Sequence, residues 1–530
     1  MRAVRIEFPD TISILKRISW LIGFLTILVF SGCSETSPGK PNIVLIMGDD
    51  IGFSDIGCYG SEIPTPNLDK LASEGIRFTQ FYNMAKCEPT RSVMLTGHYK
   101  GDERSLSVAS LLDRADYTTI MCGKEHFQQW VPQSAYASHN FDHSFIFWKI
   151  SEFFIPLGRV MANPFILNGR ELSIEEVDHE IDPFYKTDVL TDYALKFLDT
   201  ALMRDSPFFL YLPYNNAHYP LQARPEDIEK FRGKYLKGWD IIRKERYEKM
   251  VDLGIVDPKY PLSPPEGNIN RFRGHPDGNE AIREKIPLYR PWNTLTEQEK
   301  QDLDLEMAVF AAMVHRLDMN IGRIMDYLQR NGEIENTLIL YLSDNGSCPY
   351  DSNRDFDHPP GGPESYRTLS TAWANVGNTP FRYYKQFGHE GGANTHFIAY
   401  WPKKIKGKGN ITHQPGHVVD ILPTLLDIAG IQYPEEINGS ATLLPDGRSL
   451  LPVFEGKHRE VPDYFVSGHT ERFRMYREDN WKIVRSNEES WELYDMNEDR
   501  TEIRNLAEKH PEVLEQLISN YDKWKSTLPE

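Results

Sequence analysis

Two acidic clusters stand where buried strands should end. Ile43-Val44-Leu45-Ile46-Met47 runs into Gly48-Asp49-Asp50, and Leu338-Ile339-Leu340-Tyr341-Leu342 runs into Ser343-Asp344-Asn345. In open α/β sheets, ligands bind in the crevice beyond the carboxyl ends of the strands. Two such ends would bring Asp49, Asp50, Asp344 and Asn345 together, and these side chains suit calcium or magnesium rather than zinc. Asp and Asn are also ordinary turn residues after strands, so the two pairs alone leave both readings open. A third element is Cys87-Glu88-Pro89-Thr90-Arg91, continuing to Leu95-Thr96-Gly97. It follows a strand-like stretch, Ile76 to Tyr82, and precedes an apolar stretch able to form a helix, whose N-terminus would favour an anion. Further cations and proton carriers are scattered along the chain. Lys124 and His126 stand in Gly123-Lys124-Glu125-His126, His218 in Asn216-Ala217-His218-Tyr219-Pro220, and Lys385 just before His389-Glu390-Gly391-Gly392. Histidine can move protons near neutral pH, while arginine stays charged.

In this order the motifs resemble those of the type I sulfatases, members of the alkaline phosphatase superfamily. Cys87 to Gly97 follows the pattern C-x-P-x-R-x-x-x-x-x-G, and Asn378-Thr379-Pro380-Phe381-Arg382 to Gly392 is similar to bacterial arylsulfatases. Leu493-Tyr494-Asp495 and Asn505-Leu506 extend the resemblance to about residue 510. Glu125 stands where the pattern usually has Trp, and Glu88 and Thr90 stand where a small residue and Ser are commoner. The resemblance implies that a maturation enzyme oxidises Cys87 to formylglycine. It implies that Asp49, Asp50, Asp344 and Asn345 hold calcium against the sulfate and the modified Cys87. Hydrated formylglycine has two hydroxyls on one carbon: one attacks sulfur, and the other then loses its proton and expels sulfate. By the same resemblance Arg91 orients the nucleophile, and His126 is the base for elimination. Lys124 and Lys385 bind sulfate oxygens, and His218 acts with Lys385 on the leaving oxygen. The expected substrates are aryl sulfates or sulfated carbohydrates, the latter pointing to polysaccharide degradation. The competing readings are a phosphatase or phosphodiesterase of the same superfamily and an inactive sulfatase-like binding protein.

The chain must position residues that lie far apart in sequence, and its 530 residues suit a large α/β domain with a smaller partner. Helices around Pro66 to Gly75, Leu106 to Leu112, Val189 to Leu202 and Leu303 to Leu328 alternate with the apolar strands, among them Thr118 to Cys122 and Phe208 to Leu212. That alternation predicts a large mixed, mostly parallel sheet sandwiched by helices over residues 41–435. Pro220 to Lys300 reads as a cleft-shaping excursion with one amphipathic piece, Trp239 to Leu253. Short strands at Tyr464 to Ser467, Trp481 to Val484 and Trp491 to Tyr494, with a helix from Glu512 to Trp524, predict a smaller α+β unit over 436–530. The aromatic cluster from Phe145 to Phe154 reads more readily as packing than as a sugar platform.

A net charge of −18 disfavours binding to a nucleic-acid backbone. At the start, Arg2, Arg5, Lys16 and Arg17 precede an apolar run from Ile18 to Phe30 that ends in Ser31-Gly32-Cys33. This reads as a bacterial lipoprotein signal over 1–32, with lipidation at Cys33 and a tether over 33–40. The expected location is an exported, membrane-anchored lipoprotein on the periplasmic or cell-surface side. Cys58, Cys122 and Cys348 are then left over, an odd number that argues against a disulfide framework.

Overall fold

Continuous apolar runs form strands that are buried on both sides. In the computed structural model, Asn42–Gly48 is wholly buried. Val44 and Ile46 enter one core layer, and Ile43, Leu45 and Met47 enter the other, as the two-residue repeat of a strand requires. The structure describes residues 39–128, 131, 136, 140–148, 152–154, 164–181, 183–265, 290–349, 357–437, 439–470, 473–486 and 489–529. The expected lipoprotein signal, Cys33 and most of the expected tether lie outside them.

Asn42–Gly48 pairs in parallel with Phe208–Pro213 on one side and Thr337–Ser343 on the other. Thr118–Glu125 and His143–Trp148 continue the parallel run. Antiparallel strands flank it: Phe165–Leu167 and Arg170–Leu172 on one side, and Phe397–Tyr400, which pairs with Ile76–Phe78, on the other. Asn410–Thr412 completes a ten-stranded sheet. Helices Pro66–Glu74, Lys186–Leu202 and Glu297–Arg330 pack on one face. Cys87–Thr96, Val108–Asp113 and Ile421–Ala429 cover the other. Glu297–Arg330 starts at a capping box in which the Thr296 hydroxyl accepts from the Glu299 amide and the Glu299 carboxylate reaches back. The architecture matches the expected large mixed, mostly parallel sheet. One strand differs: the Ile76 to Tyr82 stretch divides, Ile76–Phe78 joining the large sheet and Phe81–Tyr82 pairing with Gly416–His417.

A separate four-stranded antiparallel sheet follows, formed by Tyr464–Thr470, Phe473–Glu478, Trp481–Ser486 and Glu492–Asp495, with the helix Pro511–Ser526 beside it. Phe473–Glu478 was not anticipated, because Arg474, Arg477 and Glu478 mask its apolar face. Residues Pro41–Glu530 form one compact unit. Cys58, Cys87, Cys122 and Cys348 are all buried, and none of them is in a disulfide.

The second sheet is tied to the Glu390-Gly391-Gly392 loop by a buried lysine. Lys482 Nζ lies 2.7 Å from Glu390 and 2.8 Å from Glu502, and all three side chains are fully buried. Burial pushes Glu502 up to about 7, helped by the charge on Glu390 and opposed by Lys482. Removing the cation would leave two carboxylates in the interior, a loss of about 3 kcal/mol. Lys482→Met should therefore lower unfolding stability by about that amount at pH 8. The loss should be smaller at pH 5, because a carboxyl with a raised folded-state pKa destabilises the fold as pH rises and is relieved by protonation. Equal denaturation midpoints for variant and parent at both pH values would refute this role for Lys482.

Candidate active site

Loops at the carboxyl ends of three parallel strands meet, and backbone hydrogen bonds join them. The Asp49 amide donates to the Asn216 carbonyl at 2.7 Å, and the Asp344 amide donates to Gly48 at 3.2 Å. Asp50 lies in the left-handed region at φ 63°, which Asp tolerates better than most residues. Its amide faces Asp344 Oδ1 at 3.3 Å. Gly346 passes so close to the next loop that a Cβ would fall 1.8 Å from the Gly391 carbonyl. This contact binds the Asp344 loop to the one carrying Lys385, whose amide donates to Ser347 at 3.2 Å. Cys87 is the first residue of the helix Cys87–Thr96, which Gly97 closes at φ 73°. Arg91 follows one turn later, so the two side chains share a face.

The polar side chains interlock in a buried layer. Arg91 donates to Asp344 Oδ2 from Nε at 3.1 Å and from Nη2 at 2.8 Å, and lies 3.6 Å from Asp49 Oδ2. Lys124 Nζ donates to Asp49 Oδ2 at 2.6 Å. Asp50 Oδ1 accepts from Lys385 Nζ at 2.5 Å and from Asn345 Nδ2 at 2.7 Å. His126 Nδ1 is 3.4 Å from Cys87 Sγ. His218 Nδ1 lies 2.7 Å from the Tyr219 carbonyl. A carbonyl only accepts, so this nitrogen carries the proton and Nε2 is turned to Asp50 Oδ2, 3.5 Å away. Every site residue expected from the sequence within the described chain lies in this one constellation.

Burial dominates the electrostatics. It opposes ionisation of Asp49, yet Lys124, His218 and Arg91 outweigh it and hold that carboxyl below the usual range. Asp50 is likewise held low against burial, by Lys385 and His218. Asp344 is pushed well up, by burial and by the nearby Asp49 charge, despite Arg91. Burial, reinforced by Lys124 and Arg91, drives His126 down to about 3. Burial takes His218 down to about 4 against the pull of Asp50 and Asp49. Both imidazoles are therefore neutral at physiological pH.

The oxygen donors fit a hard divalent cation. Asp49 Oδ1, Asp50 Oδ2 and Asn345 Oδ1 are buried and have no hydrogen-bond partner, a costly state unless something else satisfies them. Asp49, Cys87 and Asp344 also present atoms within 4.8 Å of one another. The three carboxylates are balanced by Arg91, Lys124 and Lys385. A divalent cation would turn that balance into a positive field suited to an anionic ester.

The whole-chain comparisons agree with this geometry. The sulfatase family profile matches residues 41–431. The chain belongs to the sulfatase family. A second profile, for the N-sulphoglucosamine sulphohydrolase C-terminal region, matches residues 380–526. The sulfatase is 29% identical to an arylsulfatase of Klebsiella aerogenes, over 82% of this chain and 96% of that protein. It is 27% identical to an N-acetylglucosamine-6-O-sulfatase of Bacteroides thetaiotaomicron, over 86% of this chain and 79% of that one. Among solved structures, Ps i-CgsB in complex with k-i-k-neocarrahexaose shares the fold, with a TM-score of 0.64 at 24% identity over 92% of each chain. The sulfatase is thus a sulfuric ester hydrolase of the alkaline phosphatase superfamily.

Some features of this sulfatase were not legible in its motifs. His389, beside the Glu390-Gly391-Gly392 loop, is fully buried with Nε2 3.1 Å from Glu492, so it braces the second sheet. Glu125, the departure from the family pattern, accepts a hydrogen bond from the Trp148 indole at 2.9 Å. Most of the aromatic cluster is packing: Phe145 stacks on Tyr193 with ring centres 3.7 Å apart. Trp148 is the exception.

Proposed function

We propose that this sulfatase removes sulfate from sulfated carbohydrates, with Cys87 matured to formylglycine and calcium held by Asp49, Asp50, Asp344 and Asn345. The observation that carries the reading is the buried layer in which these oxygen donors, Cys87 and three cations face one another. Calcium would neutralise ester oxygens and polarise the sulfate, and hydrated formylglycine would supply both a nucleophilic hydroxyl and a second hydroxyl whose deprotonation releases sulfate. Arg91 stays ionised between Asp344 and Asp49 and so holds positive charge beneath the nucleophile. His126, neutral and 3.4 Å from Cys87 Sγ, is suited to accept a proton there. Lys124 and Lys385 are suited to sulfate oxygens, and His218 turns Nε2 to the same space. A carbohydrate substrate is supported by the relative that is an N-acetylglucosamine-6-O-sulfatase.

The chain acts as an exported lipoprotein anchored through Cys33, and a formylglycine-generating enzyme is its maturation partner. The test is the full chain produced with such an enzyme and assayed on 4-nitrophenyl sulfate, a panel of sulfated sugars and the matching phosphate esters. Turnover of sulfate esters in the membrane fraction is expected, and Cys33→Ser should move that activity to the soluble fraction or block processing. Matured, calcium-loaded protein that leaves all sulfate esters intact would reject the reading.

A further inference from the structure

Trp148 closes the strand His143–Trp148 and stands in register with Glu125, which closes Thr118–Glu125. The two residues beside Glu125 in the chain belong to the site: Lys124 reaches Asp49, and His126 reaches Cys87. Trp148 is 51% exposed, whereas Phe145 and Phe147 on the same strand are fully buried. Its indole N–H donates to Glu125 Oε2 at 2.9 Å, and Glu125 is only 4% exposed. A large apolar ring therefore stands half in solvent at the carboxyl ends of two strands, its edge fixed by a buried carboxylate.

A single exposed apolar side chain is ordinary at a protein surface; what sets Trp148 apart is that a buried carboxylate, flanked in the chain by two site residues, holds its edge. The tether matters as much as the exposure. An unanchored indole would lose rotamer freedom when a ligand settled on it, whereas this one is already oriented. Tryptophan also combines a broad apolar face with a polar edge, and here the edge is engaged by Glu125. An apolar face beside a site that handles anions suits a ligand with one flat C–H surface and a polar rim. A pyranose ring has that form.

We infer that Trp148 is a specificity-determining platform, on which the sugar that carries the sulfate ester, or its neighbour in a chain, stacks its C–H face. The inference rests on the sulfated-carbohydrate reading given above. Glu125 is a positioning residue that acts through Trp148.

The test compares the full-length matured enzyme with Trp148→Ala, Trp148→Phe and Glu125→Gln. The substrates are N-acetylglucosamine 6-sulfate, a sulfated hexasaccharide and 4-nitrophenyl sulfate. The readout is the ratio of kcat/KM on the sugars to kcat/KM on the aryl ester, together with calorimetric binding of the hexasaccharide. In Trp148→Ala this ratio should fall about 10-fold through KM, and hexasaccharide binding should weaken similarly. Trp148→Phe should recover most of the loss. Glu125→Gln, which keeps a hydrogen-bond acceptor, should fall between. A ratio equal to the parent's, whether both activities fall together or neither does, overturns the platform. A parent that cleaves the aryl ester but none of the sugars also overturns it, and leaves the sulfatase function standing. If the parent cleaves no ester, it is the catalytic reading that fails, and binding then decides: equal affinity in parent and Trp148→Ala overturns the platform, and weaker affinity in the variant upholds it.

Discussion

Cys87→Ala should lower kcat/KM on sulfate esters by about 10^4-fold or more, equivalent to at least about 5.5 kcal/mol of transition-state stabilisation. The size follows from what is lost. Arg91, Lys124 and Lys385 would still attract the sulfate group, so binding should persist while the chemical step fails. Cys87→Ser is the sharper variant. A serine hydroxyl can attack sulfur but brings no second hydroxyl on the same carbon to release the product. It should accumulate a stable sulfated side chain, visible by peptide mass spectrometry, and should not turn over. The parent should carry an aldehyde at position 87 that reacts with carbonyl reagents. Full-rate turnover by a preparation in which every Cys87 is an unmodified thiol would end the formylglycine mechanism.

The second large effect is expected at Asp344. Chelation, or Asp344→Ala, should lower kcat/KM by about 10^3-fold, roughly 4 kcal/mol. Two losses coincide in the variant: a donor of the cation site, and the carboxylate that receives two hydrogen bonds from Arg91. Elemental analysis should find about one calcium per parent chain and little in the variant. Calcium at 100 times its Kd should raise the unfolding free energy of the parent by about 2.7 kcal/mol and leave the variant unaffected. Undiminished activity in exhaustively demetallated protein would dismiss the cation.

Parts of this arrangement could be read directly from the sequence because they depend on local order. Asn42–Gly48 and Thr337–Ser343 are continuous apolar runs, so the acidic residues after them had to emerge at strand ends. Cys87 and Arg91 are four apart, which puts them on one face of any helix that forms there. The pairings are another matter. Lys124 meets Asp49 across 75 residues, and Lys385 meets Asp50 across 335; no local pattern specifies either. Lys482 sits in a short strand, and only Glu390 and Glu502, brought in from distant loops, account for its burial. The end of the strand Ile76–Phe78 has a similar origin: the next amide, Thr79, still donates to the Thr412 carbonyl at 3.1 Å, a partner supplied by the distant strand Asn410–Thr412. Trp148 was hidden in a run of aromatics whose other members pack, because the sequence records ring type and not which ring faces solvent.

Under the formylglycine reading proposed above, the burial of Cys87 sets a clock. Its side chain is only 3% exposed in the finished fold, so an enzyme that must reach the thiol has to do so while the surrounding walls are missing. One of those walls comes late, since 253 residues separate Arg91 from Asp344. At about 5–20 residues per second of synthesis, that stretch takes on the order of 10 to 50 s. During this interval the Cys87 segment exists without the carboxylate that later clamps Arg91. Under that reading, the length of chain between the two residues would act as a delay line: position 87 would be open to processing early, and a thiol missed before Asp344 docks would stay a thiol.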